Sequence, residues 1–142
     1  MHEEPTVGPL GLLTRLSRVV YRRATEDVLG MRLKAFVGLT HLRHQPGMTQ
    51  RQFGEAVMLD PNNAVLLLND IEAAGWAQRR RDPEDRRRHV VDITPAGLAA
   101  LERADAALDS LEDDVLAPLD AAERETLRDL LARVLVPVPV TK

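Results

Sequence analysis

Two helix-start signals follow each other so closely in this chain that they leave few folds open between them. In "MTQRQF" Thr49 is placed to act as an N-cap and Gln52 as its capping-box partner, with Met48 and Phe53 at the flanking positions of a hydrophobic staple. In "LDPNN" Asp60 is a second N-cap with Pro61 at the first helical position. The first helix must therefore be short, and the second runs to about Ala74, where Gly75 stands just past its end. Two short helices joined by a few residues form a helix-turn-helix. On the second, Ala64, Leu67, Leu68, Ile71 and Ala74 share one face at helical spacing. The opposite face shows Asn62, Leu66, Asn69 and Ala73, with Asn63 and Asp70 at its edge.

The segment after this pair changes period. "WAQRRR" and "RRHVVDI" suit extended backbone, the second being rich in β-branched residues, and "DPED" between them has turn chemistry. The spacing predicts a β-hairpin. Upstream, residues 10–29 carry Leu12, Leu13, Leu16, Val19, Val20 and Ala24 at helical intervals, and residues 33–44 continue as a helix until "QPG" ends it. Downstream, Thr94 caps a long helix with Pro95 at its first position. Its apolar residues Leu101, Ala104, Leu108, Leu111 and Val115 are spaced as a coiled-coil seam, on a helix too exposed for one small domain to cover. "APLD" breaks it, Leu127, Leu130, Leu131, Val134 and Leu135 stripe a final helix, and "VPVPVTK" reads as an extended tail.

The hairpin also carries the most unusual charge. Six of the chain's seventeen arginines, Arg79–Arg81 and Arg86–Arg88, fall within it, although the net charge is −3. Ten acids against three arginines between Gly97 and Ala132 reverse the balance. So many like charges side by side destabilise a fold by self-repulsion, and Asp82, Glu84 and Asp85 offset only part of it. The arrangement makes sense if a polyanion supplies the missing charge. Placed directly after a helix-turn-helix, the hairpin has the position of a wing, from which arginines reach phosphates and a narrow minor groove.

Other functions find little support. The length of 142 residues suits one domain with a real core, which an aromatic content of 3% requires to be aliphatic. Without cysteine there are no disulfides, no thiolate metal sites and no thiol-based sensing. No apolar run approaches the ~18–20 residues of a membrane span. "MHEEPTVGPL" carries acids where a signal peptide is basic, so a soluble, cytoplasmic protein is expected. His41 and His44 lie three apart on one helix but lack a third ligand at matching spacing, and no metal site is assigned to them. Ser17 and Ser110 stand on helical faces without a His–Asp arrangement, and phosphate-loop, zinc-protease and nucleophile-elbow motifs are missing. Neither an enzyme nor a cofactor is expected.

The stretch "DPNNAVLLLNDIEAAGWAQRRRDPEDRRRHVVDITPAGLAALERAD" resembles the winged-helix core of the multiple antibiotic resistance regulator (MarR) family. "LD…IEAAGW…RRRDPEDRR…V…ITPAG" carries the likeness in order, closely over residues 33–107 and by position and character in the outer helices. The resemblance implies a fold that is mainly α with a small β-hairpin wing, a winged helix-turn-helix plus dimerisation helices, in the order α-α-α-α-β-β-α-α. Residues 1–142 would form one domain, with the DNA-binding core at 32–94 and dimerisation helices at 9–30 and 95–136. It further implies an obligate homodimer that binds a pseudo-palindromic operator on double-stranded DNA, usually as a repressor. Release would follow binding of a small lipophilic or anionic effector.

On these expectations the recognition helix offers Asn62, Asn63, Val65, Leu66 and Asn69 to bases, and the preceding helix start offers Thr49, Gln50 and Arg51 to DNA. Asparagine can read adenine bidentately, and Leu or Val can meet a thymine methyl. The wing contributes Arg79, Arg81, Asp85, Arg86, Arg87 and Arg88. Asp85 and Arg87 match the family's Asp-x-Arg pair, in which the acid braces the arginine that enters the minor groove. Leu12, Leu16, Leu101, Leu108, Val115 and Leu131 form the dimer interface. One departure stands out: the family commonly carries Ser, Thr and Arg on the exposed recognition face, where this chain has asparagines, Leu66 and Asp70. Leu66 and Asp70 keep a second reading open, a winged-helix dimer that binds protein as a scaffold or antirepressor.

Overall fold

The computed structural model describes residues 6–136. The elements are α1 (Pro9–Arg23), α2 (Glu26–Leu29), α3 (Leu33–His44), β1 (Met48–Thr49), α4 (Gln50–Ala56), α5 (Pro61–Ala73), β2 (Ala77–Arg81), β3 (His89–Ile93), α6 (Pro95–Val115) and α7 (Ala121–Leu135). The chain separates into a unit ending at Leu108 and a second beginning at Asp109, with α6 running through the boundary.

The first unit is built around α3, α4, α5 and a three-stranded antiparallel sheet of order β1-β3-β2. Its core contains Leu29, Met31, Leu39, Leu42, Phe53, Leu68, Ile71, Val91 and Leu101. Phe53 is the one aromatic ring fully buried among the described residues, and Gly38 makes room for it: a Cβ at Gly38 would stand 2.9 Å from the ring. The staple residue Met48 is buried as well. The Thr49–Gln52 capping box forms in both directions, and Asp60 caps α5 through the Asn63 amide at 2.9 Å. α5 ends in a Schellman turn. Gly75, at φ 79°, donates to the Glu72 carbonyl, and Trp76 donates to that of Ile71.

β2 and β3 pair from Ala77↔Ile93 to Arg81↔His89, and Met48 and Thr49 add to the other edge of β3 opposite Val91 and Val90. A tight junction follows. The Thr94 hydroxyl donates to the Gly75 carbonyl (2.6 Å) and accepts from Gly97 N–H (3.0 Å), and Thr94 N–H donates to the Trp76 carbonyl (2.9 Å). A Cβ at Gly97 would stand 2.1 Å from the Trp76 oxygen, so glycine alone permits this approach.

In the second unit α6 ends at Val115, and Asp120 opens α7 with its own capping box to Glu123. Arg124 ties this turn together, donating to Asp113 (2.8 Å) and to the Leu119 carbonyl (3.2 Å).

Several expectations need correction. The helix expected over residues 10–29 is two: it breaks at Ala24, and Thr25 followed by Glu26 and Asp27 starts a new turn, as acids favour a helix N-terminus. The element order gains α2 and β1, the latter too short to leave a periodic signal. The hairpin arms are shorter than expected, so Trp76 lies outside β2 and Arg86–Arg88 belong to the tip and not to a strand. Ala74 is exposed at the end of α5. Leu101 and Ala104, read as part of an uncovered seam, are wholly buried within one chain, so their burial needs no second copy. Of the expected tail, residues 137–142 lie outside the described residues.

Candidate nucleic-acid interface

α5 presents the face that its sequence implies. Asn62, Asn63, Leu66, Asn69 and Asp70 are exposed, with Val65 half-buried beside them, while Ala64, Leu67, Leu68 and Ile71 pack inward. The polar members are not equivalent. Asn63 donates its side-chain amide to Asp60 (2.7 Å) as well as its backbone N–H, and these two bonds hold the Asp60 carboxyl below its ordinary range. Asp70 faces Arg32 at 3.8 Å. Leu66, 55% exposed, is the large apolar group on this face. At the start of α4, Thr49 and Gln50 are half-buried and Arg51 is exposed, reaching Glu55 at 3.3 Å.

The six hairpin arginines divide into a root and a tip. Arg79 follows buried Ala77 by two positions on β2, and that alternation turns it toward α5. Its Nε donates to Glu72 (2.9 Å), Nη1 to the Gln50 side chain (3.4 Å) and Nη2 to Asn69 Oδ1 (2.6 Å). The Arg79 hydrogen bond holds the Glu72 carboxyl below its ordinary range. Arg79, expected among the DNA-contacting residues of the wing, is therefore also a cross-brace between wing and helix. Arg80, on the other face of the strand, pairs with Asp92 at 2.5 Å, and the same carboxylate accepts from Gly47 N–H at 3.0 Å.

The tip is a self-bonded loop. Asp82 N–H donates to the Arg88 carbonyl, Arg88 N–H to that of Asp85, and Arg81 Nη1 to that of Arg86 (2.8 Å). Asp85 accepts from Arg87 twice, from its backbone at 3.1 Å and its Nε at 3.4 Å, and stands 3.6 Å from Arg88. The Arg87 side chain remains 92% exposed, and Arg86 and Arg88 are exposed beside it. These contacts to Arg87 are of modest strength, as an exposed ion pair contributes ~0–1 kcal/mol.

Sequence reasoning missed Glu72 and Asp92, the two acids that hold the wing's root. Strand alternation from Ala77 carried the signal for Glu72. For Asp92 it was the diagonal cross-strand position from Arg80, whose direct partner is Val90.

Elsewhere in the first unit, a cleft of about 570 Å³ is lined by Val20, Phe36, Val37, Leu67 and Leu108, with Tyr21 and Lys34 supplying polar groups. The residues expected at a dimer interface are spread differently. Leu12 is exposed, Leu16, Leu108, Val115 and Leu131 are half-buried, and Leu101 belongs to the core. His41 is half-buried and His44 exposed. Among the described residues, no three His, Asp or Glu side chains stand close enough to hold a metal, and no helix is long and apolar enough to cross a membrane.

Comparison with known proteins agrees with this geometry. The MarR family model matches residues 32–89. A protein of Thauera aromatica named as a candidate transcriptional regulator of the hcr operon is 30% identical over 89% of this chain and 79% of its own length. The PcaV transcriptional regulator of Streptomyces coelicolor, solved in complex with its natural ligand, superposes with a TM-score of 0.74 at 28% identity, covering 92% of this chain and 96% of that one. CouR of Rhodococcus jostii RHA1, solved bound to p-coumaroyl-CoA, gives a TM-score of 0.77 at 26% identity, covering 92% and 93%.

Proposed function

We propose, from the premise that the chain belongs to the MarR family, that it works as a homodimeric repressor of a pseudo-palindromic operator and is released by a small effector. The family is one of DNA-binding transcriptional regulators and not of enzymes. On this reading α5 enters the major groove, Arg81 and Arg86–Arg88 follow the phosphates and the minor groove, and a second copy repeats the contacts about one helical turn away. The observation that carries it is the wing tip: in a chain of net charge −3, Arg86, Arg87 and Arg88 stand exposed in one loop that follows α5 and β2.

The cleft beside α3 suits the effector. Most of its lining is apolar, and the presence of Lys34 and Tyr21 in that lining fits a lipophilic acid. PcaV and CouR, each solved with a bound ligand, support this part of the reading. The homodimer is supported by α1 and α7, which have apolar stripes yet no buried residue.

Selection of bound sites from random DNA, followed by fluorescence anisotropy on the selected site, tests the proposal. Asn62→Ala should cost ~1–3 kcal/mol on that site and little on random DNA. Asn63→Ala should cost less, because its amide already serves Asp60. The reading fails if no site is enriched. A protein-binding dimer, which the exposed Leu66 favours, would pass through heparin without retention at low salt.

A further inference from the structure

We propose that Asn69 reads a base edge as a hydrogen-bond donor only, and that Arg79 is the positioning residue that makes it so. The inference rests on the reading above, in which α5 faces the major groove. Asn69 is exposed on the same face as Asn62, two helical turns further along. A free asparagine side chain turns either way and pairs bidentately with adenine, accepting from N6 and donating to N7. Asn69 is not free. Its Oδ1 accepts from Arg79 Nη2 at 2.6 Å.

A guanidinium has donors and no acceptor, so the reversed amide would set NH₂ against N–H. The carbonyl oxygen is therefore committed inward, and the amide nitrogen is the group left for DNA. Two further contacts hold Arg79 in this place. Its Nε is held by Glu72 at 2.9 Å, and Nη1 lies 3.4 Å from the Gln50 oxygen. Gln50 opens α4, Glu72 lies on α5 and Arg79 lies on β2, so three elements fix the direction of one amide. An outward NH₂ matches acceptors. In the major groove guanine offers O6 and N7 and thymine offers O4, whereas cytosine offers only a donor and adenine places its N6 donor beside N7. Asn69 then selects guanine or thymine at one position of each half-site and disfavours cytosine.

Two substitutions separate this role from a merely structural one. Asn69→Asp keeps an oxygen for Arg79 and replaces the outward NH₂ by an acceptor, which should move the preference at that one position to cytosine by roughly tenfold or more. Arg79→Met frees the amide, which should add adenine at the same position. Site selection from random double-stranded DNA is run on the wild type and both variants, with circular dichroism to confirm folding. The inference holds if the wild type enriches guanine or thymine where Asn69→Asp enriches cytosine, the other positions being unchanged. It is overturned, with the repressor reading intact, if the wild type enriches a motif whose every position is the same in Asn69→Asp, or if that variant loses affinity equally on all sequences, as a phosphate contact would. If the wild type enriches no motif, the base-reading role falls together with the function it rests on.

Discussion

The winged core and the helices that flank it solve the same problem differently. Within the core, Phe53, Leu39, Leu68, Ile71 and Val91 are almost wholly removed from water by neighbours in the same chain. α1 and α7 are longer than α4 or α5, yet neither buries a residue, and Leu10, Leu12, Leu130, Val134 and Leu135 are each at least half exposed. Helices of that kind do not hold their conformation by propensity alone, since most helical stability comes from packing an apolar face. The difference teaches that one part of this molecule covers its apolar residues within one chain, while the other leaves its apolar stripes at the surface of that chain. The same contrast recurs at smaller scale in the wing, whose root arginines are satisfied internally while its tip arginines face outward.

The comparison is broken most severely at Leu101. Its side chain is fully covered in one chain, so Leu101→Ala should cost ~2–5 kcal/mol, and Leu101→Glu should leave no folded protein by circular dichroism. A folded monomer from Leu101→Glu would return this residue to the flanking surface. Leu12→Glu with Leu131→Glu tests the other side. On the proposed homodimer each carboxylate would be buried unpaired, and dimer affinity measured by sedimentation should fall roughly 100-fold or more. Unchanged assembly would mean that these stripes are covered by something other than a second copy.

Within the wing the effects are smaller and are read from salt dependence. Each phosphate neutralised contributes about −0.9 to the slope of log K against log[salt]. With two wings in the proposed homodimer, Arg87→Ala should flatten that slope by up to ~2, whereas Arg80→Ala, whose guanidinium is already paired with Asp92, should change it little. Asp85→Ala gives the sign that decides. Removing an acid beside a phosphate backbone strengthens binding if only charge matters, and weakens it if the 3.4 Å contact orients Arg87. Weaker binding at two salt concentrations is expected.

The smallest effect is with acid. Asp60 and Glu72 both have folded pKa values lowered by their hydrogen bonds, to Asn63 and to Arg79 respectively. Their contribution is therefore complete above the ordinary carboxylate pKa and lost as pH falls through the lower folded value. Melting temperature should decline between about pH 5 and pH 3, and decline less in an Asp60→Asn, Glu72→Gln double variant. An equal decline in both proteins would assign the acid sensitivity to other carboxylates.

Much of this organisation was legible from local signals. Thr49–Gln52, Asp60–Pro61, Gly75 and Thr94–Pro95 each act through a single side chain or backbone angle on the nearest residues, and such effects survive in one sequence. Helix periodicity separated the inner and outer faces of α5 for the same reason, with Ala74 misjudged only because the helix ends there. What was hidden depends on distant partners. The wing read as one block of six charges because nothing local distinguishes Arg79 from Arg80 until strand alternation is anchored by buried Ala77. Leu101 read as interface because a heptad-like spacing reports that a face is apolar, not which chain covers it. The break at Ala24 was masked by apolar residues that continue in phase on either side.

The junction at Thr94 leaves the wing no hinge at its root. Hydrogen bonds from Thr94 to the Gly75 and Trp76 carbonyls, and the Gly97 backbone seated where even a methyl group would collide, fasten the first turn of α6 to the start of β2. Surfaces this close cannot slide past each other, so they turn as one lever.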